Sequence, residues 1–151
     1  MLDKIMTKDL IIGNVNDSIY EISLLMKKYD IGFIPVAYKD KIKGVITDRD
    51  ITTKIIANKE NITNKIENYI TKKIISIDVN NSIDDALNIM KQEKIKRLIV
   101  NDNKKVVGII SLSDIINNYN NDKKIISTIK DIYIIKNNQS QMDIEINDFY
   151  L

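Results

Sequence analysis

Gly44-Val45-Ile46-Thr47-Asp48-Arg49-Asp50-Ile51 returns 64 residues later as Gly108-Ile109-Ile110-Ser111-Leu112-Ser113-Asp114-Ile115. Each stretch runs from an apolar strand, through a hydroxyl, into what reads as the first turn of a helix. The recurrence extends well beyond these eight positions. With a 64-residue shift, residues 6–51 lie over 70–115 without a gap, and 16 of the 46 pairs are identical. Isoleucine is abundant, at 34 of 151 residues. That bias does not explain matches at rarer residues such as Gly44 and Gly108. A fixed internal period of this length marks two copies of one structural unit.

Both copies read alike. A short apolar strand comes first, Leu10-Ile12 or Ile74-Ile77. A helix follows, opened by Asn16-Asp17-Ser18 or Asn80-Asn81-Ser82. Ser18 with Glu21 fits a capping box, and Asp84 and Asp85 suit a helix N-terminus. Ile19, Ile22, Leu25, Met26 and Tyr29 fall at helical spacing, as do Ile83, Ala86, Leu87, Ile89 and Met90, and both stripes read as core. Two strands joined by a polar turn come next: Phe33-Tyr38 with Ile42-Ile46, and Arg97-Asn101 with Val106-Ile110. The glycines at 44 and 108 read as the end of that turn. A closing helix spans about 48–58 or 112–119. Each unit is thus β-α-β-β-α, and the fold class is α/β. One copy cannot bury its own apolar helix faces, so the two are expected to pack sheet to sheet with pseudo-twofold symmetry. The domains divide as residues 1–60, 61–122 and a C-terminal extension, 123–151. Residues 58–68 link the copies and read as partly helical. In the extension, 123–135 has helical spacing first and then a strand-like apolar run, Ile132 to Ile135. Met142 to Leu151 alternates apolar and acidic residues, which fits a strand or a partner-docking arm.

Composition removes whole classes of chemistry. The chain has no cysteine and no histidine. Disulfides, Cys or His metal sites and Ser-His-Asp or Cys-His machinery are therefore excluded. A general base would have to be a carboxylate, lysine or tyrosine. Net charge is +2 and the pI about 8.6, milder than a nucleic-acid-binding surface requires. No leader or membrane-spanning apolar run is visible, and the reading is a cytoplasmic protein without nucleic-acid or membrane partners. No phosphate-binding glycine loop or acidic metal cluster appears, so neither an enzyme nor a metal site is expected.

The candidate site lies in the opening stretch and its copy. A hydroxyl at a helix start sits among free backbone N–H groups that attract an anion such as phosphate. A carboxylate one turn later can accept both hydrogen bonds of a vicinal diol. Together they suit a ribose phosphate. A plain N-cap explains the same residues, and recurrence does not decide between the two, since a structural repeat also repeats its caps.

Gly44-x-x-Thr47-x-x-Asp50 and Gly108-x-x-Ser111-x-x-Asp114 resemble the glycine, hydroxyl and aspartate motif of the cystathionine-β-synthase (CBS) domain family. The openings Ile5-Met6-Thr7-Lys8 and Tyr69-Ile70-Thr71-Lys72 are similar to that family as well. So are the middles, Ile31-Gly32-Phe33-Ile34-Pro35-Val36 and Ile95-Lys96-Arg97-Leu98-Ile99-Val100. The resemblance covers about residues 1 to 120. It implies a stand-alone Bateman module in which two repeats bind adenine-containing ligands in clefts between them and commonly assemble into dimers. By that resemblance Thr47 and Ser111 meet the phosphate or ribose, and Asp50 and Asp114 hold the ribose hydroxyls. Thr7 to Ile11 and Thr71 to Ile75 flank adenine, with Ile34-Pro35 and Leu98-Ile99. Arg97 and Lys96 match positions of a basic phosphate contact, and Arg49 is another cation beside the first site. Two departures stand out. Gly32-Phe33 faces Lys96-Arg97 in the copy, and Ile99 replaces the family's proline, kept as Pro35 in the first repeat. The implied ligands are AMP, ADP, ATP or S-adenosylmethionine, with no catalytic cofactor. The implied partners are a second copy of the chain and an effector protein. A ligand-independent interaction module with vestigial clefts is the competing reading.

Overall fold

The computed structural model describes residues 1–134, so the alternating segment Met142 to Leu151 lies outside the described residues. The elements are β1 (Gly13–Asn14), α1 (Ile19–Tyr29), β2 (Phe33–Tyr38), β3 (Lys41–Thr47) and α2 (Asp48–Asp50), which continues as a π-helical turn, Ile51–Ile56. The second repeat gives β4 (Ser76–Asp78), α3 (Ile83–Glu93), β5 (Arg97–Asp102), β6 (Lys105–Ser111) and α4 (Leu112–Asn118), followed by α5 (Asp122–Ile134). Each repeat builds a three-stranded sheet, β1-β2-β3 or β4-β5-β6, whose first pair is parallel and second antiparallel. The α/β class and the repeated element order expected from the sequence are present. The opening strands are shorter and begin later than the apolar runs suggest. Leu10-Ile12 precedes β1 rather than forming it.

Local chemistry explains the element boundaries. Ser18, Thr47, Ser82 and Ser111 each accept from the backbone N–H three residues on, and the carboxylate at that position accepts from the cap's own N–H. Two orphan donors are satisfied at each helix start. Asp30 and Lys94 close α1 and α3 in the left-handed conformation, with φ of 52° and 57°. Asn103 and Lys104 both have positive φ in the turn between β5 and β6, the backbone of a two-residue hairpin that matches strand twist.

The chain divides into two compact units, Asp9–Ile75 and Met1–Lys8 together with Ser76 onward. Each unit is therefore one repeat's sheet and helices plus the opening of the other repeat. Two short 3-10 turns, Leu2–Lys4 and Ile66–Asn68, stand 64 positions apart and anchor this exchange through Leu2 and Ile66, both fully buried. Val45 and Thr71 exchange backbone hydrogen bonds of 3.0 and 2.8 Å. Ile109 and Thr7 exchange theirs at 3.0 and 2.9 Å.

Gly44 and Gly108 have a structural role that differs from the one expected. They lie inside β3 and β6, opposite Val36 and Val100, with no positive φ. A Cβ on Gly44 would stand 2.6 Å from the Thr71 carbonyl oxygen, and one on Gly108 would stand 2.9 Å from that of Thr7. The glycines admit the crossing backbone and do not make a turn.

The first unit's core joins Val15, Ile19, Ile22, Met26, Ile34, Val36, Ile46, Ile55, Ile66 and Ile70. The second unit buries the matching Ala86, Met90, Leu98, Val100 and Ile110, and also Leu87, where the first repeat has Ser23. α5 adds Ile125, Thr128 and Ile132 at helical spacing. Its last turns hold Ile132 to Ile134, so the apolar run expected as a strand is helical there. Burial of one face against α3 overrides the β preference of isoleucine. The α3 contact is fixed by Lys91 on Asp131 at 2.7 Å and Lys124 on Asp84 at 3.0 Å.

Candidate functional site

In the first unit the end of β3 delivers Thr47 and Asp50 to one half-buried corner. Asp50 Oδ2 accepts from Thr47 N at 3.0 Å and from Thr47 Oγ1 at 2.8 Å. Asp50 N donates to Thr47 Oγ1 at 3.1 Å. Lys54, one turn further on, sets its ammonium 2.8 Å from Asp50 Oδ1 and donates to Thr71 Oγ1 at 3.2 Å. Thr47, Asp50 and Thr71, three expected site residues, are thereby joined through a lysine the sequence reading did not single out. Its position four residues after Asp50 was the available signal, since side chains four apart meet on a helix.

Asp50 is held below its ordinary value of 3.8. Burial pushes the other way, but the bonds from Lys54 and Thr47 outweigh it. The folded carboxylate thus ionises more readily than the unfolded one. The stability it adds is present above the unfolded value and is lost as pH falls through the lower, folded one. Asp50→Asn should therefore be less stable than the parent near neutrality, with the gap narrowing toward pH 3. Urea midpoints at pH 7 and pH 3 measure it; equal gaps would remove this linkage.

In the second unit β6 delivers Ser111 and Asp114 in the same way. Asp114 Oδ2 accepts from Ser111 N at 2.8 Å and from Ser111 Oγ at 2.6 Å. Ser113 Oγ lies 2.8 Å from Ser111 Oγ. Thr7 pairs with Ile109, two residues before Ser111. Arg97 stands opposite Ser111 in the ladder, as Phe33 stands opposite Thr47. The position of Lys54 is taken by Asn118, whose Nδ2 donates to the Asp114 main-chain carbonyl at 2.8 Å. Lys96 places its ammonium 4.7 Å from the centre of the Tyr133 ring on α5, a cation–π contact.

The remaining expected residues fall elsewhere. Ile34 and Leu98 are fully buried. Pro35 and Ile99 are also buried, on the opposite faces of their strands. Ile11 and Ile75 are half-buried just before β1 and β4. Arg49 is exposed on α2. Among the described residues no cluster of three or more acidic side chains could hold a metal ion, and no helix is long and apolar enough to cross a membrane.

Two sheets of this topology, each ending in a hydroxyl–carboxylate corner, define a tandem-repeat module, and comparison with known proteins agrees. The profile of the CBS domain matches residues 2–57 and again 66–121. The chain belongs to the CBS domain family and carries a CBS pair. The uncharacterized protein YlbB of Bacillus subtilis is 34% identical over 130 residues, 85% of this chain and 88% of its own length. A conserved CBS domain protein of Thermoplasma acidophilum, TA0289, shares the fold with a TM-score of 0.76 at 20% identity, over 86% of this chain and 74% of that one. The CBS domain pair of protein MJ0100, solved in complex with 5′-methylthioadenosine and S-adenosyl-L-methionine, has a TM-score of 0.71 at 27% identity, over 80% of this chain and 99% of its own.

Proposed function

We propose that this chain is a regulatory module that binds an adenine nucleotide or a related adenosyl ligand and passes its bound state to an effector protein. One observation carries the reading. Each unit holds a preformed hydroxyl–carboxylate pair, Thr47–Asp50 or Ser111–Asp114, at the end of the strand that also pairs with Thr71 or Thr7. A carboxylate fixed in this way is oriented before the ligand arrives, and its remaining lone pairs are the acceptors that ribose hydroxyls meet. The adenosyl ligands in the MJ0100 domain pair support the ligand class. The role is one of binding, and no catalytic step is assigned to any residue. A switch of this kind requires the ligand to favour one conformational state over another. We place the module in the cytoplasm and expect it to act as a homodimer.

Thermal unfolding with AMP, ADP, ATP, 5′-methylthioadenosine and S-adenosylmethionine, each at about 1 mM, tests the reading. A ligand with Kd near 10 μM adds about 2.7 kcal/mol, because its concentration is about 100 times Kd. The midpoint then rises by several degrees in a chain of about this size. Asp114→Ala or Asp50→Ala should remove the shift that depends on its unit. No shift with any of the five, in folded protein, would favour the ligand-independent interaction module, a reading that Ile99 in place of the family's proline supports.

A further inference from the structure

The two carboxylates are not equally available. Asp50 has both oxygens engaged, Oδ2 by Thr47 and Oδ1 by Lys54, and its side chain is only 17% exposed. In both units Oδ2 already accepts two bonds, which leaves Oδ1 to a ribose diol, and in the first unit the Lys54 ammonium already holds that oxygen. In the second unit the contacts described for Asp114 use Oδ2, and Asn118 turns its amide to the main chain instead. The surroundings differ in sign as well. In the first unit the Asp48 carboxylate packs over Gly32. The matching positions of the second unit are Leu112 and Lys96. An anionic ligand therefore meets in the first unit a carboxylate that the second unit lacks.

Resting on the adenosyl-ligand reading, we propose that Lys54 is a specificity-determining residue that occupies the ribose-diol position at Asp50 and keeps the first unit closed, so that the chain takes one ligand, at Asp114. Two contacts fix the Lys54 ammonium there, its pair with Asp50 four residues back and its bond to Thr71 Oγ1. Loss of the ammonium with the aliphatic stem retained opens the first unit.

Calorimetric titration of the full chain with AMP tests this. The parent protein should bind one equivalent, lost in Asp114→Ala and kept in Asp50→Ala. Lys54→Met should bind two, the added one at least tenfold tighter than any first-unit binding in the parent. Amine-reactive labelling provides a ligand-independent readout: Lys54 should react several-fold more slowly in the parent than in Asp50→Asn. Two equivalents in the parent, one in folded Lys54→Met, or equal labelling of Lys54 in parent and Asp50→Asn would each overturn the inference while leaving the adenosyl reading standing. Absence of binding by AMP and by the other four ligands to both parent and Lys54→Met would overturn the adenosyl reading, and this inference with it.

Discussion

Replacement of Gly44 by valine should lower the unfolding temperature by about 10 °C, corresponding to about 3 kcal/mol in a chain of this length. The Cβ alone would stand 2.6 Å from the Thr71 carbonyl oxygen and 3.0 Å from Ile70 Cδ1. The first obstacle is backbone, so no rotamer change relieves it. Relief requires lifting the 70–71 segment off β3, which breaks the two Val45–Thr71 hydrogen bonds and exposes Ile70. Each such bond contributes about 1 kcal/mol net, on top of about 1–3 kcal/mol for overpacking. Gly13→Ala is the natural comparison. Its new Cβ meets the end of the Ile22 side chain, which can turn away, so a much smaller loss is expected. Differential scanning calorimetry of the two variants decides the matter. A Gly44→Val midpoint within 2 °C of the parent would mean the crossing segment is not seated on β3.

Leu98→Ala should cost about 3–4 kcal/mol, because a fully buried leucine leaves both its transfer free energy and a cavity behind. The family resemblance assigns Leu98 to the wall around adenine. Strand alternation gives a different physical account. Leu98 pairs with Ile110 in the ladder, and both are fully buried. The neighbouring Ile99 points to the other face. Urea unfolding reads the effect as a fall in midpoint at unchanged slope. A loss below about 1 kcal/mol would place Leu98 outside the core. Ile34, its counterpart in the first repeat and a member of that unit's core, should behave alike.

Much of this was legible because local rules and the repeat agree. The 64-residue period, the helix stripes, the hairpins and the Ser18–Glu21 cap appear where the spacing placed them, except that Tyr29, expected in the core stripe of α1, is exposed. The cap reading of Thr47 and Ser111 is also realised, since both form complete capping boxes. The exchange of openings was not legible. Thr7 pairs with Ile109 and Thr71 with Val45, contacts that no local propensity encodes. Their only trace was a pair of glycines, which suit a turn as readily as a close crossing. Lys54 leaves no mark in the repeat, because its counterpart in the second copy is Asn118. The helical state of Ile132 depends on burial against α3, a tertiary effect that overrides a strand-like run.

The exchange of openings also sets an order for synthesis on the ribosome. The unit Asp9–Ile75 is continuous in sequence, so it can close as soon as Thr71 has emerged and reached β3. The other unit cannot. Its segment Met1–Lys8 leaves the exit tunnel well before β6, about a hundred positions later, and until then Leu2 lacks its cover and Thr7 its ladder partner. During that interval Leu2 and Met6 are exposed to other chains and to proteases. A nascent chain stalled once Ile75 has cleared the tunnel but β6 has not should therefore carry one protected unit and a protease-sensitive segment 1–8, and emergence of residues past 118 should protect both.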